Sequence, residues 1–148
     1  MAWLGVAALV AAACGGGNGA SKATEVDAAQ LGGLGPVLTT SRGMVLYMFP
    51  PDAERHVSCV GECAAVWPPL TAAAHVPPKA GSGVQQSLLG TDPNPAGGPP
   101  VVTYDGWPLY TFVEDVKPKQ ARGQAQDLNG GYWYVIAPSG QPITVGAP

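Results

Sequence analysis

Charge is scarce in this chain. Of 148 residues only 11% are charged, seven Lys and Arg stand against ten Asp and Glu, and the net charge is -3. No run of basic residues occurs. That argues against a nucleic-acid partner and against electrostatic docking to anionic lipid. Histidine is nearly missing, with only His56 and His75 as possible nitrogen ligands. Nucleophile and phosphate motifs are absent too: there is no G-x-S-x-G, no HExxH, no P-loop and no GxGxxG opening a helix. The acids are scattered, and Glu114-Asp115 is the only adjacent pair. Neighbours on a strand face opposite ways, so this pair is unsuited to glycoside hydrolysis. No catalytic residue, metal or cofactor is expected.

Glycine and proline are abundant instead, 21 and 16 residues. Such a composition approaches low complexity. Four Trp and five Tyr, with many Val and Leu, still supply a modest core. The combination predicts a small domain of short strands joined by many turns.

The first thirteen residues, "MAWLGVAALVAAA", are apolar, and Cys14 follows. The run is too short to span a bilayer and reads as the core of a secretory signal. "AAAC" before Gly15 resembles the bacterial lipobox, which implies cleavage and a lipid, palmitate included, on Cys14. Ala11 stands where Leu is favoured. No Lys or Arg precedes the apolar run, so the true start is expected upstream of Met1. Residues 14–30 are small and polar and read as a flexible tether after the lipidated cysteine. Export means that disulfides persist, and Cys59 and Cys63 remain to form one.

The rest of the chain repeats itself. "VLYMFPPD" spans Val45 to Asp52 and "PLYTFVED" spans Pro108 to Asp115. Each follows a hairpin pattern, with turns at Ser41-Arg42-Gly43 and Asp105-Gly106. Each precedes a loop and a tryptophan: Trp67 lies 20 residues after Tyr47, and Trp133 lies 23 after Tyr110. We read one domain over 31–148, with repeat one at about 34–70, a crossover at 71–99 and repeat two at about 100–137. The crossover reads as irregular, with a short strand around Gln86–Leu89. The fold class is all-β: two tandem hairpin-containing repeats packed into one small domain. The only helix candidate is short, 61–66, stopped by Pro68-Pro69.

These residues resemble the bacterial secreted-repeat lipoproteins of the actinobacterial type, which carry a Y-x-[FWY]-x-x-D motif. Tyr47, Phe49 and Asp52 match it once, and Tyr110, Phe112 and Asp115 again. Cys59, Cys63 and "WPPL" from Trp67 also match, and the likeness covers residues 31 to about 137. The resemblance implies an extracytoplasmic lipoprotein on the cell membrane and leaves its biochemistry unassigned. Two roles stay open. One is non-catalytic binding or scaffolding of an envelope protein. The other is an accessory role in extracytoplasmic electron transfer, touching a cytochrome or haem.

The recurring motif has two readings. In a strand, Tyr47 and Phe49 point to one face while Leu46 and Met48 point to the other, which suits burial on both sides. Asp52 and Asp115, just past strand ends, suit turn capping. On this reading the motif closes each hairpin over the core. On the other, the two Tyr and two Asp converge in a shared pocket across pseudo-twofold symmetry. Cys59-x-x-x-Cys63 likewise suits a structural bridge, helped by Gly61, or else a redox pair or a metal site tuned by His56.

Overall fold

A computed structural model describes Gly19, residues 21–53 and residues 56–147. The expected signal peptide and Cys14 lie outside the described residues. The chain is mostly short strands: β1 Glu25–Leu31, β2 Gly35–Thr40, β3 Tyr47–Met48, β4 Lys79–Ala80, β5 Leu89–Asp92, β6 Val101–Tyr104, β7 Trp107–Pro108, β8 Gln126–Leu128 and β9 Gly131–Val135. They form three three-stranded sheets, ordered β2-β1-β4, β3-β9-β8 and β5-β6-β7. One α-helix occurs among the described residues, α1 Glu62–Val66. Its N-cap is Gly61 at φ 59°, a value glycine adopts freely. The all-β class and the single short helix agree with the reading from sequence.

Both expected hairpins form. Thr40 N–H donates to Met44 O at 2.8 Å across the first turn. In the second, Asp105 and Gly106 both take positive φ, 50° and 81°. Two successive positive φ values belong to the primed turn, whose twist matches that of the strands it joins.

Two boundaries differ from the sequence reading. The tether was expected to run to residue 30, but residues 25–30 belong to β1, which pairs antiparallel with β2 from Val26↔Thr40 to Leu31↔Gly35. Small, polar β1 residues carry a weak strand signal; pairing along β2 supplies the order. The crossover 71–99 is not wholly irregular, for it holds β4 and β5. Gln86–Leu88 is a 3-10 helix rather than a strand, and β5 begins one residue later. β5 pairs with β6 on one side only, so the prolines after Asp92 break no central ladder.

The repeats are interlocked. Tyr47 of repeat one pairs with Val135 at the end of repeat two. Reciprocally, Pro69, two residues after Trp67, pairs with Tyr110. The exchange continues outward: Leu38 N–H donates to Ile136 O at 2.9 Å, and Val102 N–H to Leu70 O at 2.7 Å. Each repeat thus contributes its tryptophan-bearing segment to the other's hairpin. The two hairpins meet where Tyr47 and Tyr110 exchange both backbone bonds, at 2.8 and 3.0 Å.

The strands before and after this axis are buried on both faces. Tyr47, Phe49, Trp67, Tyr110, Phe112 and Trp133 belong to one apolar cluster. Leu46, Met48, Leu109 and Ile136 belong to a second, on the opposite side. A strand sandwiched in this way needs apolar side chains at successive positions, as Leu46–Phe49 has; in repeat two the position matching Met48 is Thr111, which is only half-buried.

Candidate functional site

The motif residues converge, and they do so across the repeats. Tyr47 Oη donates to Asp115 Oδ2 at 2.6 Å, and Tyr110 Oη donates to Asp52 Oδ2 at 2.7 Å. The second oxygen of each carboxylate holds a loop of its own repeat. Asp52 Oδ1 accepts from Ser58 N–H at 2.9 Å and also from the Ser58 hydroxyl. Asp115 Oδ1 accepts from Arg122 N–H at 2.8 Å. The next residue along turns back to the tyrosine: Gly123 N–H donates to Tyr47 Oη at 3.2 Å, and the Cys59 backbone N–H bonds Tyr110. The aspartates therefore cap turns, as one sequence reading expected, and they also latch one repeat to the other.

Beside these pairs runs a column of four rings. Trp67 and Trp133 stack at 4.0 Å between centroids with planes 4° apart. Phe49 stacks on Trp133 at 4.2 Å, and Phe112 stacks on Trp67 at 4.2 Å. The order alternates between repeats. Each tyrosine meets the tryptophan of its own repeat edge-on, Tyr47 on Trp67 at 5.3 Å and Tyr110 on Trp133 at 5.1 Å. Such edge contacts set the positive rim of one ring against the negative face of another.

The pseudo-symmetry does not extend to the indole nitrogens. Trp133 Nε1 donates to Leu128 O at 2.9 Å, five residues back. Trp67 Nε1 is buried and finds no partner among the described residues. The residue five before Trp67 is Glu62, which opens α1, so its carbonyl points along the helix axis rather than at the indole.

All eight motif and stacking residues are buried, none more than 4% exposed. Burial, reinforced by the hydrogen bond to Asp115 and its charge, pushes the Tyr47 hydroxyl well above the ordinary tyrosine range. Burial and Asp52 do the same for Tyr110. Burial also raises the Asp115 carboxyl, and the bond from Tyr47 only partly opposes it. Folded Asp115 therefore holds its proton to higher pH than unfolded Asp115. Its contribution to stability falls as pH rises from the ordinary carboxylate range through the raised value.

A disulfide joins Cys59 to Cys63, with Cα atoms 5.2 Å apart. It ties the Asp52-held loop to α1, and Cys59 is buried against the aromatic cluster. His56 and His75 are exposed and line different clefts. No group of three His, Cys, Asp or Glu side chains suited to a metal occurs among the described residues.

The strand exchange and the twofold core describe a tandem repeat built as one unit. A protein-family model described as a secreted repeat of unknown function matches residues 31–71 and 94–137. The chain belongs to this secreted-repeat family. No curated protein and no solved structure matches it. Each matched segment of the secreted repeat contains one Tyr, one Asp and one Trp of the latched core. No helix among the described residues is long and apolar enough to cross a membrane.

Ser58, Arg122 and Gly123 complete the latches yet carry no signal in the sequence. What they share is a backbone N–H, which every residue but proline has, and the hydroxyl that Ser58 adds has no counterpart at Arg122, so aligning the repeats finds no shared side chain there.

Proposed function

We propose that the protein is a non-catalytic extracytoplasmic lipoprotein, anchored to the cell membrane through lipid on Cys14, whose domain serves as a rigid binding or scaffold module for an envelope protein. The supporting observation is that the motif is consumed by the core. Tyr47, Tyr110, Asp52 and Asp115 satisfy one another inside the fold, which leaves none of them free for a substrate. The chemistry-bearing residues of the repeat thus serve cohesion, and partner contact falls to the loops around them. Anchoring draws its support from "AAAC" after an apolar run and from membership of a secreted family.

Cell fractionation with a lipidated-protein label tests this. The wild-type chain should sediment with membranes and take up labelled palmitate. Cys14→Ala should move to the medium or persist as uncleaved precursor. A processed Cys14→Ala protein that still sediments with membranes would rule out the lipid anchor.

A further inference from the structure

The sequence has no basic run, but folding makes a basic face. Five of the six Lys and Arg among the described residues gather around one end of the domain, and the sixth, Lys79, is taken up there by its ion pair with Glu25. β1 pairs with β2 at Val26↔Thr40, so the incoming chain arrives beside the Ser41-Arg42 turn. Lys22 and Arg42 line the same cleft there. Against that turn lies the loop after Asp115. Lys119 N–H donates to Gly43 O at 2.9 Å. Gly43 has φ 80°, and a Cβ on it would stand 3.0 Å from Pro118 Cβ, so the two loops are in close contact. This loop brings Lys117, Lys119 and Arg122, and all five cations are exposed.

Little negative charge offsets them. Glu25 lines the same cleft but is paired with Lys79 at 3.0 Å. Asp115 is buried under the loop, and only Glu114 is exposed beside it. Val116, 68% exposed, stands among the cations as an apolar tip.

We propose that this end of the domain docks on an anionic membrane surface. Two observations choose lipid as the occupant. Lys22 follows Cys14 by eight residues, so the chain between them spans at most about 29 Å. A lipid on Cys14 therefore delivers the Lys22 and Arg42 end first. Charge complementarity does the rest: Lys and Arg held within a Debye length of an anionic leaflet are attracted to it. The domain then sits with its basic end down and presents the opposite end to the periphery. This orientation rests on the anchoring proposed above, whereas the electrostatic contact does not.

Vesicle co-sedimentation tests the contact without the anchor. The chain from residue 14 onward, carrying Cys14→Ser so that no lipid is attached, is mixed with phosphatidylcholine vesicles or with phosphatidylglycerol-rich ones. It should sediment only with the anionic vesicles, and salt should release it. Each Lys or Arg near an anionic surface strengthens binding about fivefold. Reversing Arg42, Lys117 and Lys119 together to Glu should therefore weaken it a hundredfold or more, with the thermal melt unchanged. Equal sedimentation with both vesicle types would overturn the proposal. So would wild-type binding by the triple variant, or binding to a soluble polyanion with none to vesicles. A released Cys14→Ala protein combined with no vesicle preference would sink the face alone. A retained vesicle preference in a protein never lipidated would sink the anchor alone.

Discussion

Tyr47 reaches past its own repeat to donate its hydroxyl proton to Asp115, 68 residues away and 2.6 Å distant. Tyr110 returns the contact to Asp52. Two bonds of the same kind, crossing in opposite directions, make the repeats inseparable. Deleting either tyrosine hydroxyl strands a buried carboxylate that also holds a loop.

These bonds predict a pattern of energetic coupling. Tyr47→Phe and Asp115→Asn should each destabilise by about 1–3 kcal/mol, because each leaves a buried polar partner unmet. The pair combined should lose less than the sum, with coupling of about 0.5–3 kcal/mol, and Tyr110→Phe with Asp52→Asn should behave alike. The within-repeat pairs, Tyr47 with Asp52 and Tyr110 with Asp115, should be additive to within about 0.5 kcal/mol. Denaturant unfolding of the full double-mutant cycles measures this. Stronger coupling within repeats than between them would contradict the crossed latch.

Alkali should unfold the protein through the same hydroxyls. Both tyrosines are held protonated in the fold, above the ordinary value of 10.0. As pH rises past that value the unfolded chain ionises and the folded one does not. Each buried tyrosine then removes about 1.4 kcal/mol of stability per pH unit. Urea midpoints taken from pH 9 upward should fall steeply. A Tyr47→Phe, Tyr110→Phe double variant should show a shallower decline from a lower start. Parallel declines would mean that these hydroxyls ionise freely in the fold.

Gly123 should not accept a side chain. A Cβ there would lie 2.6 Å from Trp67 Cη2 and 3.0 Å from Tyr47 Cε1. The indole is fixed by the stack on both faces, so it cannot retreat. Gly123→Ala should destabilise by about 1–3 kcal/mol through overpacking. Gly97→Ala, with nothing within 4 Å, is a poor control because its φ of 81° is itself unfavourable for alanine. Gly33→Ala, equally open and without that strain, is the better one. Thermal melts of Gly123→Ala and Gly33→Ala check the difference, and equal melts would show that the indole gives way.

The disulfide should matter modestly. It closes a short loop between Cys59 and Cys63, and loop-entropy reasoning assigns such a bridge roughly 2 kcal/mol. Thiol labelling of the exported protein should find neither cysteine free. Reductant should expose both and lower the melting temperature. Two reactive thiols before reduction would return the pair to redox chemistry.

Local features of this fold were legible in the sequence. Asp105-Gly106 marks a two-residue hairpin turn because few other pairs adopt two positive φ values without strain. Pro68-Pro69 ends α1 because proline has no N–H for the helix. Tyr47 and Phe49 alternate with Leu46 and Met48, which dictates a strand buried on both faces. The doubled motif announces two like units. None of these requires knowledge of any distant residue.

What the units do to each other was decided only in three dimensions. Whether Tyr47 meets Asp52 or Asp115 depends on strand exchange, and the sequence offers both carboxylates at the same spacing. β1 is a strand because β2 lies beside it, not because its residues favour one. The basic face exists because a hairpin turn at Arg42, a loop at Lys117–Arg122 and the entry point at Lys22 are folded together. Spacing along the chain carries backbone preference and burial periodicity, which act over a few residues. Pairing, latching and surface charge are sums over contacts between distant segments, and only the closed fold brings those segments within reach.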